Sequence, residues 1–309
     1  MRKEREAPPE AYFCLSQPQS HAGGGYTYGA AYQQNLTVAH SAAADVDGCL
    51  KYQGSKYVQS DISKCFADIK EKLENQMRVL FTGTPCQVAA VKNYCLQKKI
   101  DTENLLLVEI LCYGVPSPQI WADYLRHLEE KYGEPKEYCF RDERDGWSNI
   151  YCHRAVFQDG TELYKTKELQ AFGSLFGSRV NMRESCFSCK FDSFYRGADI
   201  TIGDCWGIEH INKEFSDACG VSQVLINTEK GKAFWNTVKD CFEAVPADIE
   251  KISQYNSVLS RPAARPDEYE KFWADYNRHG FDYIMKRYTR MGKTFRIRKK
   301  MKALRKKFF

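Results

Sequence analysis

The apolar positions of this chain fall into short runs separated by glycine- and proline-rich turns, and two of the runs are followed by the same pattern. Val79-Leu80-Phe81 precedes a Gly/Pro turn and a helix-compatible stretch from Val88 to Leu96. Leu105 to Leu111 precedes Gly114 and Pro116, and then helical spacing from Pro118 to Tyr132. Each predicts strand, loop and helix in succession. Ser117 before Pro118 is a start signal, because its hydroxyl suits an orphan N–H and proline suits the first helical turn. Upstream, Tyr26 to Tyr32 and Leu36 to His40 predict strands, while Ile62, Cys65, Phe66, Ile69 and Leu73 predict a helix with Ser60 or Asp61 as N-cap.

From Glu137 to Lys165 the pattern shortens, and Asp159-Gly160 between Ala155-Val-Phe157 and Glu162-Leu-Tyr164 predicts a hairpin. Asp199 to Gly203 and Val221 to Ile226 read as strands, and Gly231 to Ala244 as a helix. Residues 1–22 lack periodicity and hold Pro8, Pro9 and Pro18, which predicts a loosely ordered lead-in. The expected fold is α/β (α+β mixed): a mixed sheet with cysteine-bearing strand-loop-helix units, a hairpin region and a basic C-terminal helix. Its expected parts are the lead-in, a β-rich unit over 23–78, a main domain over 79–250, and a helical extension over 251–309.

At 309 residues the chain is long enough for a substantial core. The net charge of +5 conceals an asymmetry: Lys286 to Lys307 holds 12 Lys or Arg and no acid, leaving 33 basic against 40 acidic residues elsewhere. That points to an interaction tail suited to an anionic membrane surface or an acidic partner, not to a nucleic-acid-binding body. Ile284, Tyr288, Met291 and Phe295 share one helical face of the tail, and Ile297, Met301, Leu304 and Phe308 another. The charged start Met1-Arg-Lys-Glu-Arg-Glu6 does not resemble a leader, and no run reaches the roughly 20 apolar residues of a membrane span. A reducing cytoplasm is expected, with at most a peripheral membrane association.

In such a compartment the 13 cysteines serve metals or redox chemistry, not disulfides. Cys86 and Cys112 sit in the loops after the two apolar runs, and Cys186 and Cys189 form a Cys-x-x-Cys pair. If the strands run parallel, the two loops reach one edge of the sheet, where ligands bind in open α/β folds. Four thiolates with no nearby histidine suit all-thiolate zinc or a [4Fe–4S] cluster. Structural zinc draws on two close knuckles, whereas here two cysteines come singly from distant loops, a split that suits a cluster. Ordinary burial competes with both, because free cysteine is among the most buried residue types. Cys205 reads as a packing or supporting residue, and Cys14, Cys49, Cys65, Cys95, Cys139, Cys152, Cys219 and Cys241 as structural. Asp204 and Trp206 end a strand with an acid beside an aromatic, a pair that suits a ring-shaped ligand or a turn cap. Gly54-Ser-Lys-Tyr57 offers backbone access, a hydroxyl and a cation for phosphate. His153 and His210 read as structural or surface residues.

Together these segments resemble the beta subunits of coenzyme F-420 hydrogenases and dehydrogenases, a family of iron-sulfur flavoproteins. The resemblance lies in Gly54-Ser-Lys-Tyr-Val-Gln-Ser60, in Val79-Leu-Phe-Thr-Gly-Thr-Pro-Cys-Gln-Val-Ala89, in Cys112-Tyr-Gly-Val-Pro-Ser117, in Phe140-Arg-Asp142 with Gly146-Trp147, in Arg183-Glu-Ser-Cys-Phe-Ser-Cys-Lys190 and in Ala198-Asp-Ile-Thr-Ile-Gly-Asp-Cys-Trp-Gly207. It covers about residues 23 to 250. It implies a [4Fe–4S] cluster held by Cys86, Cys112, Cys186 and Cys189 beside a flavin, FAD. Ser55, Lys56, Gly83 and Thr84 would lie near cofactor phosphate or ring, with Asp204 and Trp206 lining the site. The implied activity is electron transfer between a reduced partner, a redox protein or ferredoxin, and a deazaflavin-like or other acceptor. Cys14 is the one cysteine before Cys49, so the ferredoxin-like module that many members carry is not expected within this sequence, and Gly23-Gly-Gly25 runs almost directly into Tyr28-Gly-Ala-Ala-Tyr32 where many members carry a serine-glycine turn and a helix. The alternative reading is therefore a non-enzymatic iron-sulfur relay or metal-binding module without flavin. A membrane-surface role in a glycan pathway rests on the tail alone.

Overall fold

The computed structural model describes residues 10–16, 25–147, 152–289 and 291. The chain opens with β1 (Glu10–Ser16), β2 (Tyr26–Tyr32) and β3 (Val38–Ala43), then the single-turn α1 (Val46–Cys49) and α2 (Cys65–Glu74). Two strand-helix units follow, β4 (Val79–Gly83) with α3 (Pro85–Lys98) and β5 (Leu105–Ile110) with α4 (Pro118–Tyr132). Three short strands, β6 (Pro135–Cys139), β7 (Arg154–Phe157) and β8 (Glu162–Tyr164), lead into α5 (Lys167–Ser178). Next come β9 (Ile200–Asp204), α6 (Ile208–Ile211), β10 (Ser222–Ile226), α7 (Glu229–Val238) and β11 (Phe242–Ala247). The last elements are α8 (Ile249–Tyr255), α9 (Tyr269–His279) and α10 (Phe281–Tyr288).

One sheet runs in the order β11-β1-β10-β9-β5-β4-β2-β3, and a second in the order β6-β7-β8. In the large sheet β2, β4, β5 and β9 are parallel, so their carboxyl ends share one edge. Antiparallel strands flank them: β3 on one side, and β10, β1 and β11 on the other. Burial of β5 from Leu105 to Glu109 fits a strand covered on both faces. The mixed α/β architecture is the expected one, and the Asp159-Gly160 hairpin closes with Gly160 at φ +87°.

Several local expectations give way to stronger interactions. Within the supposed lead-in, β1 pairs with both β10 and β11; its partners lie more than 200 residues away, and no local turn signals them. The helix expected to reach Ala244 ends at Val238, and Phe242–Ala247 becomes an edge strand, a place where Pro246 is tolerated. Neither Ser60 nor Asp61 caps α2. Ser60 bonds the His40 ring at 2.7 Å, and Asp61 takes the Ser63 N–H at 2.8 Å. Ser117 stands at the N-cap of α4 without a side-chain capping bond. In the tail, Ile284 and Tyr288 are buried on α10 and Met291 packs beside them, while Phe295 and the second face lie outside the described residues, as does the basic helix expected beyond 291.

The largest core cluster centres on Trp121 of α4, ringed by Tyr124, Tyr138, Phe140 and Phe172 at centroid distances of 5.0 to 5.7 Å. Trp121 Nε1–H donates to the Leu36 carbonyl at 3.0 Å, which keeps the polar tip satisfied in the core. α9 and α10 lay Phe272, Ile284, Met285 and Tyr288 onto the same cluster. Among the described residues no helix is long and apolar enough to cross a membrane.

Candidate redox cofactor site

A cavity of about 1150 Å³ opens at the carboxyl edge of the parallel strands. Its walls include the 54–62 loop, Thr82 to Thr84 at the end of β4, Cys86 and Gln87 of α3, Trp121 of α4, and the Arg141, Trp147 and Asp204 group. Such a volume is that of a site for a large organic cofactor. His40 lines it in a buried, neutral-favouring setting: its ring bonds Ser60 Oγ at 2.7 Å and the Thr82 carbonyl at 2.8 Å, and burial lowers its pKa.

Cys86, expected in a loop, stands in the first turn of α3 and is exposed. The turn tightens because Thr84 and Gln87 form a capping box, with the Thr84 N–H donating to Gln87 Oε1 at 3.0 Å. Thr84 Oγ1 lies 3.3 Å from Cys86 Sγ. Cys112 follows β5, and the Gly114 N–H donates to its sulfur at 3.4 Å. Gly114 has φ +107°, and a Cβ there would meet Met182 at 2.6 Å and Cys186 at 3.3 Å, so the Cys112 and Cys186 loops meet at this glycine. Cys186 and Cys189 lie on a short 3-10 turn and at its end, both half-buried.

Three of these thiols, Cys86, Cys112 and Cys186, act on one another. The Cys112 thiol is pushed up to about 12, chiefly by burial, with Cys186, Cys86 and Asp192 adding to the rise and the Gly114 bond opposing it. Burial also raises Cys186, with Cys86 and Asp192 adding to the effect, and raises Cys189, which hydrogen-bonds Asp192. Asp192 itself is pushed up to about 6 by burial, opposed by Arg196. Cys86, Cys112 and Cys186 thus lie close enough to feel one another, and Cys189 joins them through Asp192, which acts on Cys112, Cys186 and Cys189 alike; the ionised form of such a set calls for positive charge beside it. Among the described residues no three His, Cys, Asp or Glu side chains are grouped to grip a metal ion. A [4Fe–4S] cluster spreads its four ligands around a larger core than a single ion does, and Cys86, Cys112 and Cys186, with Cys189 three residues on, are the side chains that would have to meet that demand.

Of the other expected residues, Ser55, Lys56, Gly83, Thr84 and Asp204 line the cavity. Lys56 turns its ammonium to the carbonyls of Tyr52, Gln53 and Gly54 at 3.3, 2.9 and 3.2 Å. Trp206 stands behind the wall, stacked on Trp147 at 4.6 Å. Arg141, to which the sequence pattern assigns no role, joins the two: it pairs with Asp204 at 2.5 Å, donates to the Trp147 carbonyl at 3.0 Å, and lies 5.3 and 5.7 Å from the two indole rings. Gly220, at φ +91°, must be glycine, because a Cβ would stand 2.3 Å from Trp147. The one signal for Arg141 is its place in Phe140-Arg-Asp142, a segment that carries the resemblance without a stated role. Cys205 is buried among Ile208, Val221 and Leu225, as a packing residue would be. Cys219, expected to be structural, is exposed and lines the cavity.

Comparison with known proteins matches these features to one group. No curated protein sequence matches the chain. The F420-reducing [NiFe] hydrogenase complex from Methanosarcina barkeri, in a xenon-derivatised structure, contains a chain of similar fold. The similarity has a TM-score of 0.51 at 14% identity and covers 89% of this chain and 94% of that one. Residues 76–250 match the family model for the C terminus of the coenzyme F420 hydrogenase/dehydrogenase beta subunit. With more than half of its length in that match, the chain belongs to the coenzyme F420 hydrogenase/dehydrogenase beta-subunit family.

Proposed function

We propose that the chain is an iron-sulfur flavoprotein oxidoreductase that passes electrons between a reduced protein partner and a deazaflavin-like or other acceptor. The observation that carries this reading is the shared edge: Cys86 belongs both to the converging thiol set and to the wall of the large cavity. Cys86, Cys112, Cys186 and Cys189 would hold the cluster. The cavity would take the flavin, with Gly83, Thr84 and Ser55 near its phosphate or ring. A cluster supplies one-electron transfer, and a flavin interconverts one-electron and hydride chemistry. The Arg141–Asp204 pair would fix one wall, and Trp147, backed by its stack on Trp206, would offer a flat aromatic surface beside it. Lys56 serves the backbone of its own loop more directly than a phosphate, given its three carbonyl partners.

Metal and flavin analysis of anaerobically prepared protein tests the reading. Stoichiometric iron with bound flavin is expected. Iron without flavin would make the chain an electron relay, and zinc alone would remove the redox reading. Cys186→Ser should abolish the broad visible absorption of the cluster; full iron retention in that variant would sink the ligand set. The basic 286–309 segment is proposed as the docking element for an anionic membrane or an acidic partner. Vesicles containing anionic lipid should retain the full chain and release one truncated at 286, and equal binding by both would exclude the tail.

A further inference from the structure

Asn256 follows α8, outside the stretch that matches the family, yet it touches both halves of the site. The residue is fully buried. Its Nδ2 donates to the main-chain carbonyl of Asp204 at 2.9 Å, and its Oδ1 accepts from the hydroxyl of Tyr113, the residue after Cys112. Its backbone is tied on both sides, the N–H to the Ile252 carbonyl at 3.1 Å and the carbonyl to the Leu259 N–H at 3.0 Å. One amide therefore bridges the loop that leaves β5 and the end of β9, neighbouring parallel strands. The pairing of those strands ends at Ile110 and Ile202, with one further bond from the Leu111 N–H to the Ile202 carbonyl at 2.8 Å. Beyond that point β5 and β9 no longer pair with each other, and Asp204, the last residue of β9, is held on its other side by Ser222 of β10.

The chemistry at this position is specific. A buried amide that donates at one end and accepts at the other satisfies both segments without bringing in charge. Leucine would leave the Asp204 carbonyl and the Tyr113 hydroxyl without this partner. From Asp204 the contacts continue through its carboxylate to Arg141 and on to the Trp147 carbonyl. A continuous path thus joins Cys112 to the cavity wall.

We propose that Asn256 is a positioning residue that locks the Cys112 loop to the Asp204 end of β9, so that movement of the cavity wall is felt at the thiol set. The functional meaning of this coupling rests on the oxidoreductase reading above. The coupling itself is a property of the two segments and is measurable without cofactor.

The test uses the full chain in reduced, iron-free form. Tyr113→Phe removes one of the two bonds, and Asn256→Leu removes both at similar volume. Site-resolved alkylation by iodoacetamide reads the Cys112 loop, near-ultraviolet circular dichroism of the Trp147–Trp206 stack reads the cavity wall, and alkylation of Cys95, buried in a separate core cluster, reads the fold as a whole. Tyr113→Phe should speed Cys112 alkylation roughly fivefold, the equivalent of one ordinary buried hydrogen bond, with the tryptophan signal unchanged. Asn256→Leu should speed it at least as much and also alter the tryptophan signal. An unchanged Cys112 rate in Tyr113→Phe, or a rise matched at Cys95, overturns the proposal, and this variant decides even if Asn256→Leu fails to fold. Wild-type protein that takes up no iron on anaerobic reconstitution defeats the oxidoreductase reading and leaves the loop coupling to be decided by the alkylation rates. Iron uptake with an unchanged Cys112 rate defeats the coupling alone.

Discussion

His153 shows how far one side chain can be committed by its surroundings. It is fully buried, its Nδ1 lies 2.9 Å from the Tyr138 hydroxyl, and Phe140 packs against its ring at 5.6 Å. Burial drops its pKa from 6.5 to about 4. The folded chain refuses a proton that the unfolded chain accepts, so the neutral ring's contribution is complete above about pH 6.5 and drains as pH falls toward 4. The urea midpoint should fall over that window, and His153→Gln should make the fall shallower; an equal slope in both proteins would exclude His153 as the source. His40, lowered in the same direction, adds to the loss. The sequence reads His153 as a structural or surface residue, and its burial decides for the first. It cannot identify Asn256 or Arg141, whose roles come from residues more than 50 positions away in the chain.

At the level of elements, α4 joins core to site. Trp121 lines the cavity, packs against four aromatic rings, and donates to the Leu36 carbonyl. Trp121→Ala should cost about 3 to 5 kcal/mol, the range for a large aromatic removed from a core, and the expected readout is a lower thermal midpoint. A loss under about 1 kcal/mol would mean that the cluster collapses to fill the space. Helix α4 is legible to the residue, since Ser117-Pro118 marks its start and its apolar spacing is regular. The strand-helix units bearing Cys86 and Cys112 are legible too, because apolar runs before Gly/Pro turns, broken here only by Glu109, have few other solutions. The path from Gly231 to Ala247 is not. There a helix-compatible spacing continues past Val238, and pairing with β1 turns the last part into a strand.

Across the whole molecule, β11 pairs only with β1 among the described residues, and β1 also covers the edge of β10. Removal of residues 1–16 should therefore leave β11 without its ladder and open β10 to other chains. Lower solubility and faster hydrogen exchange over 222–247 than over 79–110 are expected, and uniform protection across both regions would contradict this. The same pairing bears on synthesis. β1 leaves the ribosome ahead of the other described strands, yet its partners emerge more than 200 residues later, after the parallel strands and their helices have had time to pack. Made before the other described strands, β1 is thus seated late, and until then the nascent chain carries an unpaired edge that a chaperone must shield or a neighbouring chain can capture.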